Sequence, residues 1–292
     1  MPEGDVSKLF DAHYFASSCG RPYRRDETWL GFFDSIAARI VSDIQPESVL
    51  DAGCALGFLV EKLRQRGVEA FGLDLSDYAI QNVHPDVQPY CWIGSVAEPF
   101  PQDYDLIVCI EVLEHLDKAG AESAVANLCR HSHQVLFSST PFDYKEATHF
   151  NVQPPEYWAE LFARQGFFRD IDFDASFLTP WAVLYRRKQA LLHRMVRDYE
   201  RKFFLLWKEN ADLRELTVEM RDQVATLSNQ AANLSNQVVE LDREMNTVAN
   251  QLRDIRESRS WKFIQGLQNI RLKLIPQNTG RERLLFKLLG KK

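Results

Sequence analysis

The chain has 292 residues, 45% of them hydrophobic, and a formal net charge of -6, which provides for one good core and a remainder. The charge is uneven: residues 1–187 carry 15 Lys/Arg and 28 Asp/Glu, a net of -13, and residues 188–292 carry 20 and 13, a net of +7. The acidic larger half argues against a nucleic-acid partner, and no apolar run approaches the ~20 residues of a membrane span.

In chain order, residues 1–47 read as a helical cap whose acidic start, "MPEGDVSKLFDAHYF", lacks a signal-peptide core. "SVLDA" (48–52) reads as a buried strand, "GFLVEKLRQRG" (57–67) as a helix ending on Gly, and "EAFGLDLS" (69–76) as the next strand. Ser76 is placed to cap a following short helix. "VQPYCWIG", "YDLIVCIE" and "HQVLFSST" read as strands, with "AGAESAVANLCRH" helical before the last. "PPEYWAELFARQG" is a helix with Pro in its first turn, and "FFRDIDF" with "WAVLYRRK" closes the region as an antiparallel pair. This alternation predicts an α/β, doubly wound, seven-stranded sheet over residues 48–187 with its last strand antiparallel. The five cysteines, none in C-x-x-C spacing, read as reduced thiols of a cytosolic protein.

After a connecting helix over 188–209 the pattern changes. Leu213, Met220, Leu227, Leu234, Leu241, Val248 and Ile255 are seven apart, and Thr217, Val224, Ala231, Val238, Met245 and Leu252 fill the positions four later. This is an unbroken heptad seam and predicts a coiled coil over 210–258, ~70 Å long, that makes a homo-oligomer, with dimer and trimer both open. Residues 259–292 form a basic amphipathic tail, suited to an anionic membrane surface or a protein partner.

The first chemical motif is "VLDAGCALG", a strand followed by a glycine turn with Asp51, Gly53, Ala55 and Gly57. Its D-x-G-x-x-x-G spacing is neither a dinucleotide fingerprint nor a P-loop. Asp74 ends the second strand, and "GSVAEPFPQDYDLIVCIEVLEHL" supplies a third-strand loop and a fourth strand ending in an acid. As a set these motifs resemble class I S-adenosylmethionine-dependent methyltransferases with a Rossmann-like sheet. The resemblance implies that Asp51, Gly53, Ala55 and Gly57 turn around the methionine part, with Ala55 where a second Gly is usual. It implies that Asp74 takes the ribose hydroxyls, that Leu75 lies against the adenine with Ser95 and Val96 at its edge, and that Ile110 and Glu111 border the methionine. "HYFASSCGRPYRRDETWLGFF" is similar to the N-terminal caps of bacterial sugar-modifying methyltransferases. Tyr14 and Tyr23 would then wall the sulfonium, and Arg24 or Arg25 would pair with the methionine carboxylate.

"CIEVLEHLD" (109–117) puts Glu111, Glu114 and His115 at i, i+3 and i+4, so a helical turn would bring all three to one face. The stretch is similar to the E-x-x-E-H turn of magnesium-dependent O-methyltransferases, which implies a divalent ion, Mg²⁺ or Mn²⁺, held by Glu111, Glu114, His115 and His149. Two other readings stay open: His149 or His115 as a metal-free general base, and a turn in which Glu111 touches only the cofactor. A methyltransferase domain, a long coil and a basic "SRSWK" tail together look like enzymes of bacterial surface-polysaccharide (O-antigen, lipopolysaccharide) assembly. The implied function is O-methylation of a sugar hydroxyl, capping chain growth, by a cytoplasmic protein peripheral to the inner face of the membrane and in contact there with lipid or a glycosyltransferase. A small-molecule or nucleotide-sugar methyltransferase, and a non-catalytic coiled-coil scaffold, are the alternatives.

Overall fold

The computed structural model describes residues 6–189, 191–281 and 283. They form two compact units, residues 1–204 and 205–292. The first begins with a 3-10 turn, Val6–Leu9, and two helices, α1 (Ala12–Ser17) and α2 (Glu27–Arg39). Asp11 and Asp26 cap these helices by accepting backbone N–H groups of their first turns.

The sheet follows, with β1 (Ser48–Ala52), α3 (Phe58–Gln65), β2 (Glu69–Asp74), α4 (Asp77–Gln81), β3 (Cys91–Ile93) and β4 (Leu106–Ile110). It continues through α5 (Lys118–His131), β5 (Gln134–Ser138), α6 (Pro155–Arg164), β6 (Phe167–Arg169) and β7 (Val183–Arg187). Its seven strands lie in the order β3-β2-β1-β4-β5-β7-β6. β7 runs antiparallel to both its neighbours, and the remaining pairs are parallel.

Strand alternation sorts the core into two layers. Val49, Leu106 and Val108 face Ile36, Ile40, Leu59 and Leu63 of the α2–α3 side. Leu50, Ile107 and Cys109 face Leu128, Phe162 and Tyr185 of the α5–α6 side. Both faces are covered, which is why β1 and β4 read as nearly continuous apolar runs.

Beyond the sheet, α7 runs as one helix from Leu192 to Glu257. Ser258 breaks it and caps α8 (Arg259–Leu274), its Oγ accepting from the Trp261 N–H. Leu227, Leu234 and Leu241 of the heptad seam are each more than 60% exposed in the single chain. No described helix is long and apolar enough to cross a membrane. The end of the basic tail, residues 284–292 with "LLFKLLGKK", lies outside the described residues.

Candidate active site

The strand order reverses between β1 and β4, and ligands of open α/β sheets bind where the strand order reverses, beyond the strands' carboxyl ends. A cavity of about 530 Å³ opens there. Its floor is the turn after β1. Gly53 has φ +96°, and a Cβ on it would meet Val112 Cγ2 at 2.3 Å, so only glycine fits. Ala55 takes φ +45°, a left-handed conformation that costs an ordinary residue roughly 1–2 kcal/mol. Its N–H is held by Asp74 Oδ2 at 2.8 Å, which offsets the strain. Gly57, φ +71°, turns the chain into α3 without itself lining the cavity.

Asp74 is oriented from both sides, because Ser76 N–H donates to its Oδ1 at 2.9 Å. Burial raises its pKa while these backbone bonds pull the other way. Asp51, also on the cavity wall, is pushed up to about 8 by burial and by the neighbouring Asp74. No Lys or Arg is among the described residues lining the cavity. Its charge character is acidic, set by Asp51, Asp74, Glu111 and Asp143.

Tyr14, Tyr23, Leu75, Ser95, Val96 and Ile110 all line the cavity. Tyr23 is partly buried, stacked on Phe58 at 5.2 Å. Arg24 and Arg25 lie outside the lining: Arg24 is 75% exposed beside Asp26, and Arg25 is taken up by Glu61 of α3. Each is drawn to an acid outside the cavity, Arg24 to Asp26 on the cap and Arg25 to Glu61 on α3. A carboxylate in the cavity would depend on backbone N–H groups.

The "EVLEH" stretch departs from a helical turn. Only Leu113–His115 form a 3-10 turn, and Glu111 precedes it with φ +52°. Ser138 Oγ and Trp181 Nε1 both donate to Glu111 Oε1, at 2.7 and 3.0 Å, and its carboxyl lies beside that of Glu114. Glu114, His115 and His149 come together, with one ligand atom of each within 4.8 Å of the others. Glu114 is fully buried, and neither of its carboxylate oxygens has a well-formed hydrogen bond. Burial and the nearby Glu111 hold its pKa well above the usual carboxylate range. The His115 and His149 rings are 4.7 Å apart. Each has its Nδ1 against a backbone carbonyl, of Thr148 at 3.1 Å and of Asp143 at 2.9 Å. Donation from Nδ1–H leaves Nε2 as the lone-pair atom of each ring, as in metal-ligating histidines. Burial and His149 lower His115 to about 4, so it is neutral at pH 7. An orphaned buried carboxylate beside two oriented imidazoles fits a divalent cation.

Spacing arguments did not reach several neighbours of this site. Phe10 packs edge-on against both Tyr14 and His115. Ser76 Oγ donates to the Phe10 carbonyl, tying the cap to the end of β2. Trp181 and Ser138 fix Glu111. These come from distant segments, and only a sheet already folded brings them together.

The sheet order, the Gly53 turn and the acid ending β2 define a Rossmann-like methyltransferase fold. The chain belongs to the methyltransferase-domain family, whose model matches residues 23–168, half of its length. It is similar to ubiquinone biosynthesis O-methyltransferase of Neisseria meningitidis serogroup C, 30% identical over 123 residues (38% of this chain, 51% of that protein). It is similar also to that of Alkalilimnicola ehrlichii, 28% identical over 187 residues (59% and 68%). The chain thus spans about half the length of the first of these relatives. Among solved structures, magnesium protoporphyrin IX methyltransferase from Synechocystis PCC 6803, with bound SAM, superposes with a TM-score of 0.50 at 18% identity, over 64% of this chain and 100% of that one.

Proposed function

We propose that this chain transfers the methyl group of S-adenosylmethionine to a hydroxyl of a sugar in a bacterial surface polysaccharide. The observation that carries the reading is the Glu114–His115–His149 cluster, of which His115 and His149 line an acidic cavity and Glu114 lies buried behind them. The printed name of the curated relatives supports transfer to oxygen. Asp74, already oriented by two backbone N–H groups, takes the ribose hydroxyls. Tyr14 and Tyr23 offer aromatic surface to the sulfonium. Glu114, His115 and His149 would hold a divalent ion, which when bound supplies Lewis acidity toward an acceptor hydroxyl. His149 stands on the acceptor side, its Nε2 available to a metal or to a hydroxyl proton.

The acidity of the cavity has a pH consequence. A cationic cofactor favours the ionised form of Asp51, whose pKa in the free protein is about 8. Below that pH, binding must expel a proton. Affinity for S-adenosylmethionine is therefore expected to rise between pH 6 and 8, by up to about tenfold per unit, and to level off above. Calorimetry in two buffers of different ionisation enthalpy measures the released proton. No release at pH 7 would remove Asp51 from the cofactor's contacts.

The long helix fits the same reading. Its apolar seam suits a homo-oligomeric coiled coil, and the basic residues of α8 and beyond suit the membrane surface where lipid-linked glycans are built. The deciding measurement is a methyl-transfer screen of the full chain against polysaccharide fragments, nucleotide sugars and a catechol. Transfer to a glycan hydroxyl supports the proposal. Transfer only to the catechol would replace the sugar with an aromatic small molecule.

A further inference from the structure

We infer, from the coiled-coil reading above and independently of the acceptor, that Asn210 sets the register of a parallel coil between copies of this chain. The seam of that coil begins at Leu192 rather than at residue 210. The segment 188–209, expected as a separate connecting helix, joins the coil without a break, because α7 is one helix from Leu192 to Glu257. The heptad phase therefore carries back along it unshifted. In the series of Leu213, the d positions, stand Leu206, Tyr199 and Leu192. In the series of Thr217, the a positions, stand Asn210, Phe203 and Val196. All six are exposed in the single chain, Leu192 at 75% and Phe203 at 69%. The uncovered stripe is thus a single a/d seam along the whole helix.

Asn210 is the one amide in that seam. The other polar a residue, Thr217, spends its hydroxyl on its own helix, donating to the Leu213 carbonyl at 2.7 Å. The Asn210 amide has no hydrogen-bond partner among the described residues. Closing the seam over an amide costs free energy unless a polar group stands in the same layer. In a parallel, in-register coil that group is the partner's Asn210, which both donates and accepts. Antiparallel pairing over the same length of helix sets Asn210 in the apolar stretch between Leu234 and Leu241 instead. A slip of one heptad sets it against Phe203 or Thr217. One polar a residue thus rejects the wrong registers at some cost in stability.

The flanking charges agree with this choice. Glu209 is at g, and Arg214 is at e of the following heptad. These are the two positions that face each other across a parallel coil, so Glu209 meets the partner's Arg214 and Arg214 meets the partner's Glu209. Neither has an ion-pair partner within its own chain among the described residues. Antiparallel pairing places g against g and loses both attractions. The charge pair and the amide lie within one turn of each other, and both call for the same occupant of the seam, a second copy of this chain.

Disulfide trapping on the full chain tests the register. Leu192→Cys and Val248→Cys, both at d, are made singly and oxidised beside the wild-type chain, whose five free cysteines set the background. Each variant is expected to give at least about fivefold more same-site linked chain than wild type on a non-reducing gel. If Val248→Cys fails to link while light scattering shows an oligomer, the parallel register is overturned and the coiled coil stands. Linkage of Val248→Cys without Leu192→Cys overturns the early start of the seam. A monomeric wild-type chain overturns the coil and the register together. Asn210→Leu is expected to raise the melting temperature of the helix by about 5 °C or more and to give more than one oligomeric species. An unchanged melting temperature with a single species removes Asn210 from the seam.

Discussion

Chelator is expected to abolish methyl transfer by the full chain while leaving S-adenosylmethionine binding nearly intact, and added Mn²⁺ or Mg²⁺ is expected to restore it. Glu114 is the reason. A carboxyl that is fully buried with no well-formed hydrogen bond costs stability unless something completes it. The two imidazoles beside it have their Nδ1 atoms on backbone carbonyls, and one ligand atom of each lies within 4.8 Å of the others and of a Glu114 oxygen. Glu114→Gln keeps the shape and removes the charge, so the fold should survive while transfer falls by roughly 10²-fold or more. His149→Ala should cost a similar factor. Single-turnover methyl transfer and a separate cofactor titration read the two effects. Activity that survives chelator but falls in His149→Ala would make His149 a metal-free general base. If neither treatment changes turnover, the cluster has no part in transfer and "EVLEH" only lines the cofactor.

The second large effect concerns the seam. Placing Asp at both Leu234 and Leu241 should convert an oligomeric full-length chain to monomer, as measured by light scattering. In the single chain these leucines are 61% and 63% exposed on a 66-residue helix, an apolar stripe with the 3.5-residue repeat of a coiled coil. Two carboxylates buried in such a seam cost several kcal/mol per strand, beyond what a helix partner regains. Transfer to a small soluble acceptor should persist in the monomer, because the cavity is lined only by residues of the first unit. A wild-type chain that is already monomeric would refute the coiled coil.

The sheet was legible in the sequence because its strands obey a local rule. "SVLDA" and "YDLIVCIE" are apolar on both faces and carry an acid at or next to their carboxyl end, and the seven strands follow that reading, β7 antiparallel included. Asp74 and Gly53 were legible for a similar reason, since a strand end and a forced left-handed turn are written in neighbouring residues. The histidine cluster was half legible. The spacing of "EVLEH" suggested a helical turn; instead Glu111 takes a positive φ and a 3-10 turn follows at Leu113–His115, with the Glu111 carboxyl still beside that of Glu114. What redirects Glu111 is Trp181, seventy residues away. Arg24 and Arg25 misled because a cation near a cofactor motif invites pairing, while the acids that engage them, Asp26 and Glu61, lie on the cap and on α3.

The cavity is assembled from three lengths of chain with different standing. The stretch shared with the family, residues 23–168, provides the floor, the acid ending β2, and His115 and His149. Phe10, Tyr14, Phe15 and Cys19 come before it, and Leu178 and Thr179 after it. The roof and one side thus hang from segments that do not take part in strand pairing. Substitutions in those two flanks can reshape the cavity without altering one hydrogen bond of the sheet.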